Sequence, residues 1–391
     1  MNADLLFDQK IAILGEGVTS RAVEDSALRG LYSLVDLDAA DLVVASPGIP
    51  VDQFPAVSVP IISEIELAYR LIQFYQHSVQ LIGITGTNGK STLTALVAHL
   101  LDCPAVGNIG RPLISYVATD VRCLVVELSS YQLETTVTFR PNQAIFLPIT
   151  PDHLARHQTM ENYFFQKSKM VQTQIAEDDV FYFSHDLTVQ SIVSNSIAQK
   201  HAVDLEDSLG FLHQLLGKHN QLLVAMAIRV GRFCGVSDDL LRARLRTFLP
   251  LPHRLESLGT VAGRYWINDS KSTNLASTMV AVESCDQVPF LVLCGDDKQL
   301  NLDHFVHWIP SRVKGVFVFG QLCHCFDQYR SFLDQDRWFF YRDMAEALHS
   351  IMEKTDVSDL ILFSPSSSSF DQFDHFEARG DAFKRQVQAL I

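Results

Sequence analysis

The sequence predicts an α/β chain of three domains, each built on a mainly parallel sheet with flanking helices, and three observations carry that prediction. Short apolar runs alternate with helix-like stretches throughout, the pattern of repeated βαβ units. Polar and glycine-rich clusters follow the ends of those runs, where open parallel sheets bind ligands. The length of 391 residues exceeds one ordinary hydrophobic core and suits about two to three domains.

Composition narrows the partners. Hydrophobic residues make up 47% and charged residues 19%, a globular balance. The formal net charge of −14 argues against generic attraction to nucleic acid or an anionic membrane. It predicts instead that the cations concentrate in ligand clefts. Seven cysteines, an odd number with several inside apolar runs, read as reduced thiols of a cytoplasmic protein. Asp4 and Asp8 stand where a secretory signal needs basic residues, and no run approaches the ~18 apolar residues of a membrane helix, so no membrane insertion is expected. Cys323-His324-Cys325 lacks C-x-x-C spacing and a partner pair, so zinc is not expected there.

Residues 1–77 form the first predicted unit, Rossmann-like, with strands at 11–14, 34–35, 42–45 and 57–62. Gly15-Glu16-Gly17-Val18-Thr19-Ser20 matches a dinucleotide fingerprint with Ser20 in the third glycine's place, and Asp36 follows at a strand end. The pattern suits a ribose held by Asp36, and equally a tight turn before a helix. Ser46-Pro47-Gly48 is a turn at the same edge, so Val18, Thr19, Asp36 and Ser46 are the candidate ligand contacts.

Residues 78–249 form the central unit, with strands at 81–84, 123–127 and 144–149. Gly86-Thr87-Asn88-Gly89-Lys90-Ser91-Thr92 lies between the first of these and a helix-like stretch at 93–101. Glycines there let backbone N–H groups close on phosphate oxygens, Lys90 reaches the outer phosphates, the Ser91 hydroxyl suits Mg²⁺, and the helix start adds a positive dipole end. This P-loop-like arrangement implies a nucleoside triphosphate. The strict motif fails, because its first glycine position is Ile84 and the nearest glycine is Gly83. Glu127 and His153 follow the ends of two further strands, within reach of one divalent cation beside the phosphates.

Residues 250–391 form a third unit, again Rossmann-like, with strands near 265–268, 290–294, 315–319 and 359–363. Polar clusters follow three of them, at 268–274, 295–298 and 364–369. The serine run at 364–369 separates an apolar strand from Phe370-Asp371-Gln372-Phe373, so it reads as a ligand-facing loop instead of a flexible linker.

Taken together and in order, these motifs resemble the Mur ligases of bacterial cell-wall synthesis over nearly the whole chain. The carriers are segments 83–92, 107–110 and 127–134, Asp152-His153, segments 251–256 and 266–274, and 371–373 with 376–380. Segments 127–134, 266–274 and 364–380 look specific to the branch that adds D-glutamate. The resemblance implies a UDP-sugar domain at 1–77, an ATP domain at 78–249 and an amino-acid domain at 250–391. It also implies ATP-driven addition of D-glutamate to UDP-N-acetylmuramoyl-L-alanine through an acyl phosphate, by a cytoplasmic monomer whose partners are these small molecules.

Carried over by residue, the resemblance implies that the loop from Gly86 to Thr92 binds ATP, with Lys90 and Ser91 at phosphate and Mg²⁺. Glu127 and His153 would be further metal ligands. Lys167 matches a lysine that becomes carbamylated and binds a second Mg²⁺. Asn108, Ser129 and Gln132 would contact the muramoyl substrate. His253 would orient the incoming glutamate. Asn220, Arg254, Asp269 and Lys271 would be nucleotide contacts, and Thr273, Lys298, Ser369 and Phe376 would form the glutamate pocket, where lysine and hydroxyl donors suit a dicarboxylate.

The chain departs from the family pattern at Ala155, where Asp is usual, and at Leu223, where a second asparagine is expected three residues after Asn220. The first domain is also short between Gly30 and Asp41. Competing expectations are another Mur-type or folylpolyglutamate-type amino-acid ligase, a non-catalytic nucleotide-binding homologue, and an NAD-dependent dehydrogenase read from Gly15 and Gly17.

Overall fold

The first sheet is wholly parallel, with strands β1 (Lys10–Leu14), β2 (Ser33–Leu34), β3 (Leu42–Ala45) and β4 (Ile61–Ser63) in the order β2-β1-β3-β4. The computed structural model describes residues 9–76, 78–213, 215, 217–296 and 300–390. The apolar run at 57–62 yields a strand only from Ile61, because Pro60 has no N–H to give a ladder. Helix α1 (Val18–Leu28) follows β1, and α2 (Glu64–Tyr75) follows β4.

The N-terminus of α2 fastens this sheet to the next. Ser63 caps the helix by accepting from the Glu66 N–H. The fully buried Glu66 carboxylate accepts the backbone N–H groups of Val137, Thr138 and Phe139, the Thr138 hydroxyl and Arg70 Nε. Burial alone would raise this carboxyl, but those donors outweigh it and hold it below the usual range. Glu64 beside it is also buried, with one oxygen accepting the Ile114 N–H at 2.6 Å, and burial raises its pKa to about 7.

The second sheet is also parallel and has strands β5 (Gln80–Thr85), β6 (Ala105–Gly107), β7 (Cys123–Glu127), β8 (Gln143–Phe146), β9 (Asp179–Phe183) and β10 (Gln199–Val203), in the order β10-β9-β8-β5-β7-β6. Ile11, Val44 and Leu71 of the first sheet and its helices share one apolar core with Leu81, Val126 and Phe146. β8 stops at Phe146, short of the expected 149, because the following backbone turns to serve the phosphate loop: Leu147 N–H donates to Thr85 O, and Pro148 O accepts from Thr87 N–H.

The third sheet runs β11-β12-β16-β13-β14-β15, from strands β11 (Glu256–Val261), β12 (Arg264–Asn268), β13 (Phe290–Cys294), β14 (Gly315–Phe319), β15 (Trp338–Tyr341) and β16 (Leu360–Ser366). Only the edge pair β11/β12 is antiparallel. Alternate residues bury on opposite faces, Leu291 and Leu293 in one core and Val292 and Cys294 in the other, as a sheet covered on both sides requires. β16 extends beyond the expected 363 because Ser366 pairs with Cys294 across an irregularity in the ladder.

By internal contacts the chain divides into two compact units. Met1–His213 with Leu222–Phe248 holds the first two sheets, and Gln214–Gln221 with Leu249–Ile391 holds the third. Among the described residues no helix is long and apolar enough to cross a membrane.

Candidate active site

β5 ends at Thr85, and helix α3 (Lys90–Leu101) starts five residues later. Ile84, where the strict motif has glycine, is buried in the strand with its carbonyl accepting the Leu128 N–H, so the turn begins two residues further on. Gly86 has φ +146, and a Cβ there would stand 2.5 Å from Leu147 Cβ. Gly89 is left-handed at φ +84 and opens the helix. Leu223, the departure noted above, lies beneath this turn, 3.2 Å from where a Gly89 Cβ would be. It supplies packing under the loop where the family pattern has an amide.

Two lysines converge on the loop. Lys90 Nζ donates to Gly86 O at 3.0 Å and to Thr87 O at 2.8 Å. Lys167, on helix α6 (Met160–Gln172), is 1% exposed and donates to the same Gly86 O at 2.8 Å. Its ammonium also lies 4.6 Å from the centre of the Tyr163 ring. Burial lowers the Lys167 pKa well below the usual lysine range, the charge of Lys90 pushes the same way, and Asp152 and Glu127 oppose. Thr87 braces the loop: its hydroxyl donates to Thr150 O at 3.0 Å and lies 3.2 Å from Tyr163 Oη.

At the end of β7, Glu127 is buried, and its Oε1 accepts from Asn108 Nδ2 at 3.0 Å. The other oxygen, Oε2, is buried with no hydrogen-bond partner among the described residues. An ionised carboxylate left this way is costly unless a cation or donor completes it, so the site fits a divalent cation. His153 is exposed, has left-handed backbone at φ 56, and its Nδ1 lies 3.0 Å from Tyr131 Oη. Ala155 is exposed in the one-turn helix that follows.

Sequence-predicted contacts in the first sheet gather at one edge. Gly15 (φ 103) and Gly17 (φ 121) turn the chain into α1, and Ser20 Oγ donates to Gly15 O and lies 2.9 Å from Ser46 Oγ. The third fingerprint position thus holds a hydroxyl that ties the turn to Ser46. Val18 and Asp36 are exposed and Thr19 half-buried. Ser129 and Gln132, expected at the substrate, form a reciprocal cap on the one-turn helix α4 (Ser130–Leu133).

In the other unit His253 is buried with φ 62, and its Nδ1 lies 2.9 Å from Asn268 Nδ2. That amide can only donate, so Nδ1 accepts and the proton belongs on Nε2, which faces Asp381 at 3.6 Å. Burial lowers the His253 pKa, with Glu256 opposing. Asp269 is buried, its oxygens accepting from Leu255 N–H, Ser272 Oγ and Ser364 Oγ, and burial raises its pKa to about 6. It therefore holds the 269–272 turn to the end of β16. Lys271 Nζ lies 4.5 Å over the Phe376 ring. Arg254 and Thr273 are half-buried, and Asn220 and Ser369 are buried. Lys298 lies outside the described residues.

Sequence reasoning missed Arg379. Its guanidinium is fully buried and donates to Ser270 Oγ and O, and to the carbonyls of Ser367 and Ser368, clamping two of the three polar loops together. The only signal was its place in segment 376–380.

Comparison with known proteins follows the same lines. A family model described as the Mur ligase middle domain matches residues 84–209. The UDP-N-acetylmuramoylalanine–D-glutamate ligase of Clostridioides difficile (strain 630) is 34% identical over 394 residues, covering 91% of this chain and 86% of that protein. The protein of the same name from Gloeothece citriformis (strain PCC 7424) is 31% identical over 412 residues, covering 94% and 88%. Among solved structures, MurF ligase from Thermotoga maritima in complex with ADP aligns with a TM-score of 0.64 at 15% identity, covering 99% of this chain and 97% of that one. UDP-N-acetylmuramate-alanine ligase MurC from Thermotoga maritima aligns at 0.62 and 19%, covering 97% and 99%.

Proposed function

The chain belongs to the UDP-N-acetylmuramoylalanine–D-glutamate ligases of the Mur ligase family, and from that premise we propose how its residues carry the reaction. The substrate is UDP-N-acetylmuramoyl-L-alanine. Its alanyl carboxylate attacks the γ-phosphate of ATP, giving an acyl phosphate and ADP. The amine of D-glutamate then attacks the acyl carbon, and phosphate leaves from the tetrahedral intermediate as the amide forms. The product is a cytoplasmic precursor of peptidoglycan.

The observation that carries this reading is the convergence of Lys90 and Lys167 on the phosphate loop beside the incompletely bonded Glu127 carboxylate. Carboxylate attack on phosphate brings anions together, so the protein's part is positioning and charge. Lys90 would turn from the loop carbonyls to the phosphates. Ser91, Glu127 and His153 would hold one Mg²⁺, which supplies charge neutralisation when bound. The lowered pKa of Lys167 suits a neutral amine that adds CO₂, and the resulting carbamate would hold a second Mg²⁺.

We assign the 1–77 domain to the UDP-sugar, through Val18, Thr19, Asp36 and Ser46, and Asn108, Ser129 and Gln132 to the muramoyl-alanyl end. Residues 78–249 bind ATP. Residues 250–391 supply the amino acid site, with His253, Thr273, Lys298, Ser369 and Phe376 at D-glutamate and Arg254, Asp269 and Lys271 on the nucleotide side. The enzyme acts as a cytoplasmic monomer. Mass spectrometry of the product tests the reading: with ATP, Mg²⁺ and D-glutamate the UDP-sugar should gain one glutamyl unit.

A further inference from the structure

Strand β12 ends on Asn268, whose amide is fixed from both sides. The residue is fully buried, and its Oδ1 accepts the Ser270 backbone N–H at 3.2 Å. Its Nδ2 lies 3.1 Å from Glu256 Oε2 and 2.9 Å from His253 Nδ1. Glu256 is held in turn: Oε2 also accepts the His253 backbone N–H at 2.9 Å, and Oε1 accepts from Lys384 Nζ at 2.9 Å. Donors on both oxygens, one of them an ammonium, suit the ionised carboxylate, which only accepts. A backbone N–H only donates, so the Asn268 oxygen must face Ser270 and its NH₂ must face Glu256. The flipped amide would set donor against donor at one end and oxygen against oxygen at the other. The second hydrogen of that NH₂ therefore belongs to His253 Nδ1, which accepts it with its lone pair.

We propose that Asn268, oriented by Glu256, is a positioning residue for the ligation: it holds His253 in the Nε2–H form, so that His253 is a hydrogen-bond donor to the incoming amino acid and not the base that takes the amine proton. The proposal rests on the functional reading above, in which His253 meets D-glutamate. A neutral imidazole has one N–H and one lone pair. Here the lone pair is engaged by Asn268, and Nε2 carries the hydrogen. Asp381 Oδ1, 3.6 Å from Nε2, is too distant for a hydrogen bond, so that N–H can still donate to an anionic oxygen of a dicarboxylate. Phe376 meets the ring edge-on at 6.3 Å and Gly380 packs against it, so packing helps to hold its plane while the amide sets its proton. Protonation would put a second N–H against the Asn268 NH₂. Burial also disfavours the cation; of the charges around the ring, Glu256, Asp381 and Glu377 favour it and Lys384 opposes it.

Long-range ¹H–¹⁵N NMR on the full chain, labelled at histidine nitrogen, reads the tautomer, with the His253 signals assigned by their loss in His253→Gln. At neutral pH the parent should show one His253 form, with hydrogen on Nε2 and none on Nδ1. Asn268→Leu keeps the size and removes the amide, so the Nδ1–H form should appear. Its KM for D-glutamate should rise about 10-fold or more, as for a lost hydrogen bond to a charged group, with the KM for ATP unchanged. His253→Gln can donate through its amide but cannot take a proton. It should lower kcat/KM for D-glutamate about 10-fold, against the roughly 100- to 10,000-fold expected on removing a general base. A parent with hydrogen on Nδ1 would overturn the proposal, as would an unchanged spectrum in folded Asn268→Leu. A His253→Gln loss in the general-base range, or no loss at all, would overturn it too. If Asn268→Leu fails to fold, the parent spectrum and His253→Gln still decide. If the parent fails to ligate D-glutamate, the functional reading fails, while the spectra still show whether Asn268 sets the tautomer.

Discussion

Lys90 and Lys167 share one acceptor: Gly86 O receives Lys90 Nζ at 3.0 Å and Lys167 Nζ at 2.8 Å. Two ammonium groups on one carbonyl repel, and burial and the charge of Lys90 both lower the Lys167 pKa, which favours its neutral form. A neutral amine can add CO₂ and release a proton, leaving a carbamate anion where the protonated lysine would have been a cation. With ¹³C-bicarbonate, the protein should show a carbamate resonance that Lys167→Arg lacks. Lys167→Ala should lose roughly 100- to 1,000-fold in kcat, the scale for removing one preorganised electrostatic group, and a small carboxylic acid should restore part of it. Identical spectra for the two proteins would contradict the carbamate.

Lys90 is half-buried, and its ammonium bonds the carbonyls of Gly86 and Thr87 in the loop that it would leave for phosphate. Lys90→Ala should abolish measurable turnover while the melting temperature stays within a few degrees of the parent. Full activity in that variant would refute the phosphate assignment.

Gly380 lies against His253. A Cβ on Gly380 would stand 2.2 Å from His253 Nδ1, and the histidine backbone is pinned by its N–H bond to Glu256 Oε2. The ring cannot back away without losing Asn268. Gly380→Ala should therefore cost about 1–3 kcal/mol of stability, the usual range for overpacking, and raise the KM for D-glutamate while leaving that for ATP alone. Denaturant unfolding and steady-state kinetics on the one variant check both parts.

Glu64 makes stability depend on pH in a calculable direction. Its pKa rises from 4.5 unfolded to about 7 folded, so the folded state holds a proton that the unfolded state has released. Stability from this group is fully present below pH 4.5, falls as pH rises toward 7, and is level above that. The change is about 3–4 kcal/mol, taking ~1.4 kcal/mol per pH unit between those two values. Glu64→Gln, whose amide oxygen can still accept from Ile114 N–H, should remove this slope. Melting curves at pH 5.5 and 7.5 for both proteins would show it, and equal slopes would refute it.

Much of this architecture was legible because its strands are continuous apolar runs ending in polar clusters. β7, β13 and β14 fall where the sequence places them. The edges were less so. β10 reads Gln-Lys-His-Ala-Val and is mostly exposed, so no burial imprints a pattern on it. β11 carries Gly259 and a bulge between Ser257 and Gly259, which breaks the alternation a hairpin strand would show. Within the site, the phosphate loop was readable because each position has a local job. Glu66 could not be read, since its donors lie about 70 residues away and nothing nearby tells a buried carboxylate from a solvated one.

The most direct measurement is phosphate release by the purified protein with ATP, Mg²⁺ and UDP-N-acetylmuramoyl-L-alanine, run against D-glutamate, L-glutamate, L-alanine and a diamino acid. The account predicts release with D-glutamate alone, together with a product heavier by one glutamyl unit. Release with a different amino acid and none with D-glutamate would contradict the specificity, and silence with all four despite ATP binding would contradict the catalytic role itself.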